Sequence, residues 1–299
     1  MRGMSAPWLM VGASYLFATM GVCVKLASAT YTAGEIVFYR GLVGALVITG
    51  LTRWRGGSLR TPVPAMHFWR SAVGVGSLML WFYAIGALPL ATAMTLNYMS
   101  SVWMALFLIG GAVLLGSARV HGRLVAAVLV GFAGVALVLR PTIDDRQLWH
   151  GLAGLVSGML AALAYLQVTA LGRAGEPESR IVFYFSLGSM VAGAATMLVH
   201  GASAHTATGL ALLLAIGTLA TVAQMMMTRA YAIGRTLSNA SLQYLGIVFA
   251  FVYGVLLFDD PVTWMALAGM ALIVAAGITA TLLRARATPP DARGPATES

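Results

Sequence analysis

The sequence predicts an all-α membrane protein: ten transmembrane helices arranged as two inverted five-helix repeats around a central cavity. Three observations carry this expectation. Of the 299 residues, 60% are hydrophobic and only 9% are charged, with a mean hydropathy of +0.87. One soluble core cannot bury that much apolar surface, so the chain belongs in a bilayer. Apolar runs of about 20 residues, enough to cross roughly 30 Å of hydrocarbon, follow one another along almost the whole chain. Two short stretches also occur twice in the same order: Ile36-Val37-Phe38-Tyr39 returns as Ile181-Val182-Phe183-Tyr184, and Tyr83-Ala84-Ile85-Gly86 returns as Tyr231-Ala232-Ile233-Gly234.

The spans are expected near 8–29, 34–52, 66–87, 89–116, 121–140, 150–172, 180–200, 207–232, 236–258 and 262–284. Turn-forming residues punctuate them: Arg55-Gly56-Gly57-Ser58, Thr61-Pro62-Val63-Pro64, Leu88-Pro89, Pro141 with Asp144-Asp145, Glu176-Pro177-Glu178 and Asp259-Asp260-Pro261. The first run is too long for a signal-peptide core and remains as a span. Residues 1–143 form the first five-helix unit, 144–286 the second, and the polar segment 287–299 a disordered tail. The many glycines (34) let helices approach closely where no hydrophobic force drives them together. Cys23, the single cysteine, rules out an internal disulfide and a multi-cysteine metal site, and reads as a buried structural thiol.

Charge sets the orientation. Thirteen of the 18 Lys and Arg residues fall on the side of the N-terminus, among them Arg53, Arg55, Arg60, Arg70, Arg119, Arg123, Arg173 and Arg235. The positive-inside rule therefore places both termini in the cytoplasm. The net charge of +9 is a matter of topology: the basic residues sit in short loops with no basic stripe, so no nucleic acid is expected. Trp8, Trp54 and Trp69 read as interfacial anchors, as does Lys25.

Because five is odd, the second copy enters the membrane from the opposite side. Inverted repeats of this kind build secondary transporters, with the solute site near the midplane between the halves. The duplicated plan, the Gly-rich fifth and tenth spans (Gly131, Gly134; Gly269, Gly277) and the ends of the fourth and ninth spans (Leu114-Leu115-Gly116-Ser117; Leu256-Leu257-Phe258-Asp259) resemble the drug/metabolite transporter superfamily. Within it they resemble the ten-helix EamA-type members and the aromatic-amino-acid exporters of the YddG type. Members often close those spans with a Leu-Leu-Gly-Glu-like sequence, whose acid survives here only as Asp259. The resemblance implies a basket of helices in a bacterial-type inner membrane, alternating access, and export of amino acids or related metabolites. The expected partners are a small solute and membrane lipid, the chain is read as a monomer, and no cofactor or metal is expected. Export or import of another amphipathic metabolite or drug is the alternative within transport.

Depth selects the candidate residues. Tyr98 lies about 13 Å inside the turn at Leu88-Pro89, and Tyr244 about 12 Å inside the turn at Arg235-Thr236, at 1.5 Å per residue. The two tyrosines converge from opposite sides, preceded by Asn97 and Gln243. Amides and phenols at this depth either bridge helices or face a wet cavity. Tyr15, Trp81, Trp103, Tyr165 and Gln224 offer further polar and aromatic surface, Met225-Met226-Met227 adaptable lining, and Arg40 a planar fork for a carboxylate or a snorkelling anchor. Tyr83 and Tyr231, three residues from their turns, suit gates or rims, or interfacial anchoring.

All nine acids fall in loops, at span ends or in the tail, and the five histidines lie near ends. The sequence therefore points to gradient-driven facilitation or exchange without a dedicated proton relay. No His-Glu-x-x-His, phosphate loop or Gly-x-Ser-x-Gly is present. An enzyme is not expected; a polytopic membrane enzyme or lipid-handling protein would need a surface cluster of acids and histidines.

Overall fold

Helix after helix begins and ends where local chemistry can satisfy its free backbone groups. The computed structural model describes residues 5–100, 102–104, 106–107, 110, 122–139, 145–233 and 242–287. Ten helices have bounds within them: α1 (Ala6–Ala27), α2 (Ala33–Trp54), α3 (Pro64–Ala87), α4 (Leu90–Tyr98), α5 (Gly122–Leu139), α6 (Asp145–Arg173), α7 (Glu178–His200), α8 (Ala207–Ile233), α9 (Leu245–Phe258) and α10 (Trp264–Ala287). The Leu114–Ser117 motif, the Arg235-Thr236 turn, Asp144 and residues 288–299 lie outside the described residues. Six of the helices are long and apolar enough to cross a membrane: α1, α2, α3, α7, and α6 and α8 over Gln147–Arg173 and Ala207–Tyr231.

Capping fixes the ends. Thr32 and Glu35 form a reciprocal capping box at the start of α2. The same Glu35 carboxylate accepts hydrogen bonds from the Ser203 backbone N–H at 2.6 Å and the Ser203 hydroxyl at 3.0 Å, which ties the α7–α8 loop to α2. Pro64 opens α3, and Leu88-Pro89 separates it from α4. This is the tight hairpin expected of the first repeated stretch.

Two expected spans are not continuous helices. α4 stops at Tyr98 with a turn at Met99 before helical conformation resumes at Ser100, and α9 starts after a turn at Tyr244. At both points the backbone tightens: the Met99 carbonyl accepts from both Val102 and Trp103, and the Tyr244 carbonyl from Ile247. The breaks fall in Leu96-Asn97-Tyr98-Met99 and Leu242-Gln243-Tyr244-Leu245, the parts of the repeated hairpins counted to the midplane. Hydropathy runs on through both, so it does not register them.

The most extensive helix contacts are α2 on α7, α3 on α6, α5 on α10 and α1 on α8. α2 and α7 run antiparallel: Tyr39 near the start of α2 bonds His205 beyond the end of α7 (2.8 Å), and Tyr184 near the start of α7 donates to the Leu59 carbonyl beyond the end of α2 (3.0 Å). Their backbones nearly touch. A Cβ on Gly41 would stand 2.5 Å from the Met190 nitrogen and the Ser186 oxygen, and one on Gly193 2.5 Å from the Phe38 nitrogen.

Charged side chains tie both ends of the bundle. At the end where α1 finishes and α4 starts, the Lys25 ammonium donates to Asp260 Oδ1 at 2.9 Å and lies 4.5 Å above the Phe258 ring, while the Leu90 N–H donates to Asp260 Oδ2 at 2.8 Å. This corrects one expectation: Lys25 is not merely an interfacial anchor, because Asp260 of the turn before α10 binds it. A half-buried ammonium and an uncapped helix start both favour a carboxylate there. At the opposite end Glu176 pairs with His67 (3.0 Å) and Arg180 (3.3 Å), and Arg180 donates on to the Ser58 carbonyl. Cys23, expected buried, is half-buried on α1.

Two outcomes follow for thermal unfolding of the purified protein in detergent. Gly41→Val and Gly193→Val should each cost about 1–3 kcal/mol by overpacking, whereas Gly50→Val, with nothing within 4 Å of its Cβ position, should change stability far less; equal effects would refute the crossing. Asp260→Ala should cost about 1–3 kcal/mol by stranding both the Leu90 N–H and the Lys25 ammonium, and Lys25→Met, which leaves the Leu90 bond intact, should cost less. A larger loss for Lys25→Met would contradict this account of the clamp.

Candidate functional site

A cavity lies between the two ends, lined by Phe17 of α1, Arg40 of α2, Arg70, Gly74, Ser77, Leu78 and Trp81 of α3, Asn97 and Tyr98 of α4, Ala161, Ala164 and Tyr165 of α6, Phe185 of α7, Gln224 and Met227 of α8, and Gln243. It brings together Arg40, Trp81, Asn97, Tyr98, Tyr165, Gln224 and Gln243 of the sequence-derived candidates. Tyr15, Trp103 and Tyr244 lie outside its lining. Tyr15 is 47% exposed and packs edge-on against Phe249, Trp103 packs against Phe107 and Phe132, and Tyr244 is buried at the start of α9.

Two arginines dominate the chemistry. Arg40 is 4% exposed, so it does not snorkel to the surface; its Nη2 donates to Gln224 Oε1 at 3.0 Å and its guanidinium carbon lies 5.0 Å from the centre of the Phe185 ring. Arg70 is 3% exposed, with its guanidinium carbon 4.1 Å from the centre of the same ring. Each stands about 10 Å inside its helix start, and because α2 and α3 are consecutive they enter from opposite ends. Gly74, one turn beyond Arg70, makes room for it: a Cβ there would collide with the Arg70 guanidinium.

Both charges are left partly unsatisfied by the protein. Nε of Arg40 and Nε and Nη1 of Arg70 have no protein hydrogen-bond partner, and among the described residues no acid lines the cavity. The Phe185 face supplies cation–π attraction, worth about 2 kcal/mol when desolvated, which is small beside the several kcal/mol that an unpaired buried charge costs. The arrangement is suited to hold an anionic group, a carboxylate above all, since a guanidinium fork matches its two oxygens.

The amides and phenols divide between bridging and facing the cavity. Asn97 Nδ2 donates to Ser157 Oγ at 3.1 Å, Ser157 Oγ donates to the Gly154 carbonyl, and Ser77 Oγ donates to the Ser157 carbonyl, so this group binds α3, α4 and α6 together. Gln243 Nε2 donates to the Tyr165 hydroxyl at 3.1 Å, and its Oε1 accepts from the Tyr231 hydroxyl at 3.2 Å. Tyr231, considered as a gate or rim, thus joins the Gln243–Tyr165 cluster. Tyr83, its counterpart, is 44% exposed and stacks on His150 at 4.2 Å. The Tyr98 hydroxyl is buried without a protein partner, and its ring lies against Gly246.

Sequence reasoning missed Arg70 and Phe185. Arg70 was counted among the charges that set orientation, yet its position inside the third span, four residues before a glycine, signalled that it faces a neighbouring helix. Nothing in the pattern distinguished Phe185 from other span phenylalanines.

No protein-family model matches the chain. Among curated proteins it is similar to the pseudopaline exporter CntI of Pseudomonas aeruginosa, 33% identical over 270 residues that cover 90% of this chain and 93% of the relative. It is also similar to an uncharacterized transporter of Helicobacter pylori (24% identical, 90% and 92% covered) and to a riboflavin transporter of Brucella anthropi (24% identical, 90% and 95% covered). A solved crystal structure shares the fold with a TM-score of 0.66 at 19% identity, covering 95% of this chain and 99% of that one. With one-third identity to CntI over nine-tenths of its length, this chain belongs to the transporter family of that exporter: it is a multi-pass membrane transporter of the drug/metabolite type, not an enzyme.

Proposed function

We propose that the chain is a secondary transporter that exports small carboxylate-bearing metabolites, amino acids among them, from the cytoplasm by alternating access. The observation that carries this reading is the pair of buried guanidinium groups, unopposed by any acid lining the cavity among the described residues. Export rather than uptake is supported by the name of the relative CntI, an exporter. Around the arginines, Phe17, Trp81, Phe185 and Met227 offer an apolar and aromatic wall for the body of the solute, and Tyr98, Asn97, Gln224 and Gln243 offer hydrogen bonds. Tyr83 and Tyr231 are the gate candidates.

The inverted repeat is part of the proposal, with residues 1–143 and 144–286 as its halves. Exchanging α1–α5 with α6–α10 turns the α1–α8 contact into α6–α3 and α2–α8 into α7–α3. It likewise turns α1–α9 into α6–α4, and leaves α2–α7, α4–α9 and α5–α10 unchanged; every one of these contacts occurs. The repeated Ile-Val-Phe-Tyr opens both α2 and α7, and its tyrosine reaches the loop after the partner helix each time. Breaks at Met99 and Tyr244, one residue apart in the register of the two copies, fit the discontinuous helices that line transporter midplanes. The excess of Lys and Arg on the N-terminal side favours cytoplasmic termini in a bacterial-type inner membrane. Among the described residues no carboxylate lines the cavity, which favours transport that follows the solute gradient or exchanges solutes.

Counterflow of labelled phenylalanine, tryptophan, threonine and glutamate in proteoliposomes tests this reading. At least one should be carried, without an imposed pH gradient. Arg40→Gln and Arg70→Gln should each slow it about tenfold or more, the worth of a charge-assisted hydrogen bond, while Trp8→Phe at the exposed surface should leave it unchanged. Transport that ignores both arginine variants, or that appears only with a pH gradient, would overturn the assignment.

A further inference from the structure

Two guanidinium groups, not one, face this cavity, and they face it from different helices. Both guanidinium carbons lie within 5.0 Å of the Phe185 ring centre, so they are less than about 10 Å apart. At that distance two like charges in a water-poor cavity repel, and each raises the cost of the other. The described acids are engaged elsewhere or lie at helix ends: Glu35 with Thr32 and Ser203, Glu176 with His67 and Arg180, Asp260 with Lys25 and Leu90. The other described residues of the cavity lining are neutral: amides, hydroxyls, rings and apolar side chains.

A single carboxylate on the solute would leave one of these charges uncompensated. A zwitterion would do worse, because its ammonium brings a third positive charge to a site lined by no carboxylate. Two carboxylates on one solute would neutralise both arginines and relieve their mutual repulsion. The Phe185 ring, in reach of both guanidiniums and part of the cavity wall, offers an apolar surface for a short link between the two carboxylates.

Resting on the carboxylate reading of this cavity, we propose that its preferred solute carries two carboxylates, one held by Arg40 with Gln224 and the other by Arg70, with the link between them over Phe185. Acidic amino acids and dicarboxylated amino-acid derivatives are then favoured over neutral amino acids. The second arginine acts as a selectivity element: it sets how many negative charges the solute must bring.

Calorimetric titration of the full chain in phosphatidylcholine nanodiscs, where no anionic lipid headgroup competes, tests the proposal with three probes of one backbone length or nearly so: glutarate, butyrate and glutaramide. Glutarate should bind about tenfold or more tighter than butyrate, and glutaramide weakest. In Arg40→Gln and in Arg70→Gln the advantage of glutarate over butyrate should fall to about threefold or less, whereas Arg40→Lys and Arg70→Lys, which keep the charge, should retain most of it. Because removing an unpaired buried charge relieves strain on folding, the Gln variants remain testable, and the Lys variants supply a second comparison. Butyrate binding as tightly as glutarate would overturn the two-carboxylate inference while leaving the carboxylate reading standing. Glutaramide binding as well as both would overturn the two together. An advantage that survives both Gln variants would show that the charges are counted elsewhere.

Discussion

The structure depends on guanidinium groups that are buried in a cavity lined, among the described residues, by no acid. Burying an unpaired charge costs several kcal/mol, and a membrane protein has little stability to spare for it. Arg40 and Arg70 nevertheless converge on the Phe185 ring, with Gln224 the one side-chain hydrogen-bond partner among the described residues and nitrogens left over on both. Such a site is stabilised by whatever anion occupies it. An empty site of this kind is costly, and the proposed solute would offset that cost.

Everything around the pair serves to hold it open and apart from the surface. α2 and α7 cross with backbone contact at Gly41 and Gly193, so Arg40 and Phe185 stand on neighbouring helices at fixed spacing. Asn97 and Ser157 lock α4 to α6 beside the break at Met99, and Gln243 joins Tyr165 and Tyr231 beside the break at Tyr244. At the two ends, Asp260 binds α1 to the start of α4, and Glu176 binds α3 to the start of α7. These clusters sit outside the cavity lining except for Asn97, Gln243 and Tyr165, so the cavity arginines and the charges that tie the helix ends are separate sets.

Much of the fold was legible because a bilayer imposes strong rules on a sequence. Apolar length located α1, α2, α3, α7 and α8 within two residues at each end, and the hairpin at Leu88-Pro89 followed from proline. The helix breaks were not legible, because Leu96 to Met99 and Leu242 to Leu245 remain apolar enough to read as continuous. At the site, depth counting brought Asn97, Tyr98 and Gln243 to the cavity, and Arg40 was noticed because it stood deep in a span. Arg70 was absorbed into the orientation count, since hydropathy does not say whether an arginine near a span end points to water or inward. Lys25 and Asp260 were read singly, as an anchor and a turn, because their pairing joins residues 235 positions apart.

Relatives similar in sequence to this chain are named for solutes as different as pseudopaline and riboflavin, so the resemblance alone does not name the solute. The central claim is therefore about the site. It is tested most directly by an experimental structure of the full chain with bound glutarate. Density bridging the Arg40 and Arg70 guanidiniums across the Phe185 ring is the predicted result. Density elsewhere in the bundle, with both arginines paired to protein carboxylates instead, would contradict it.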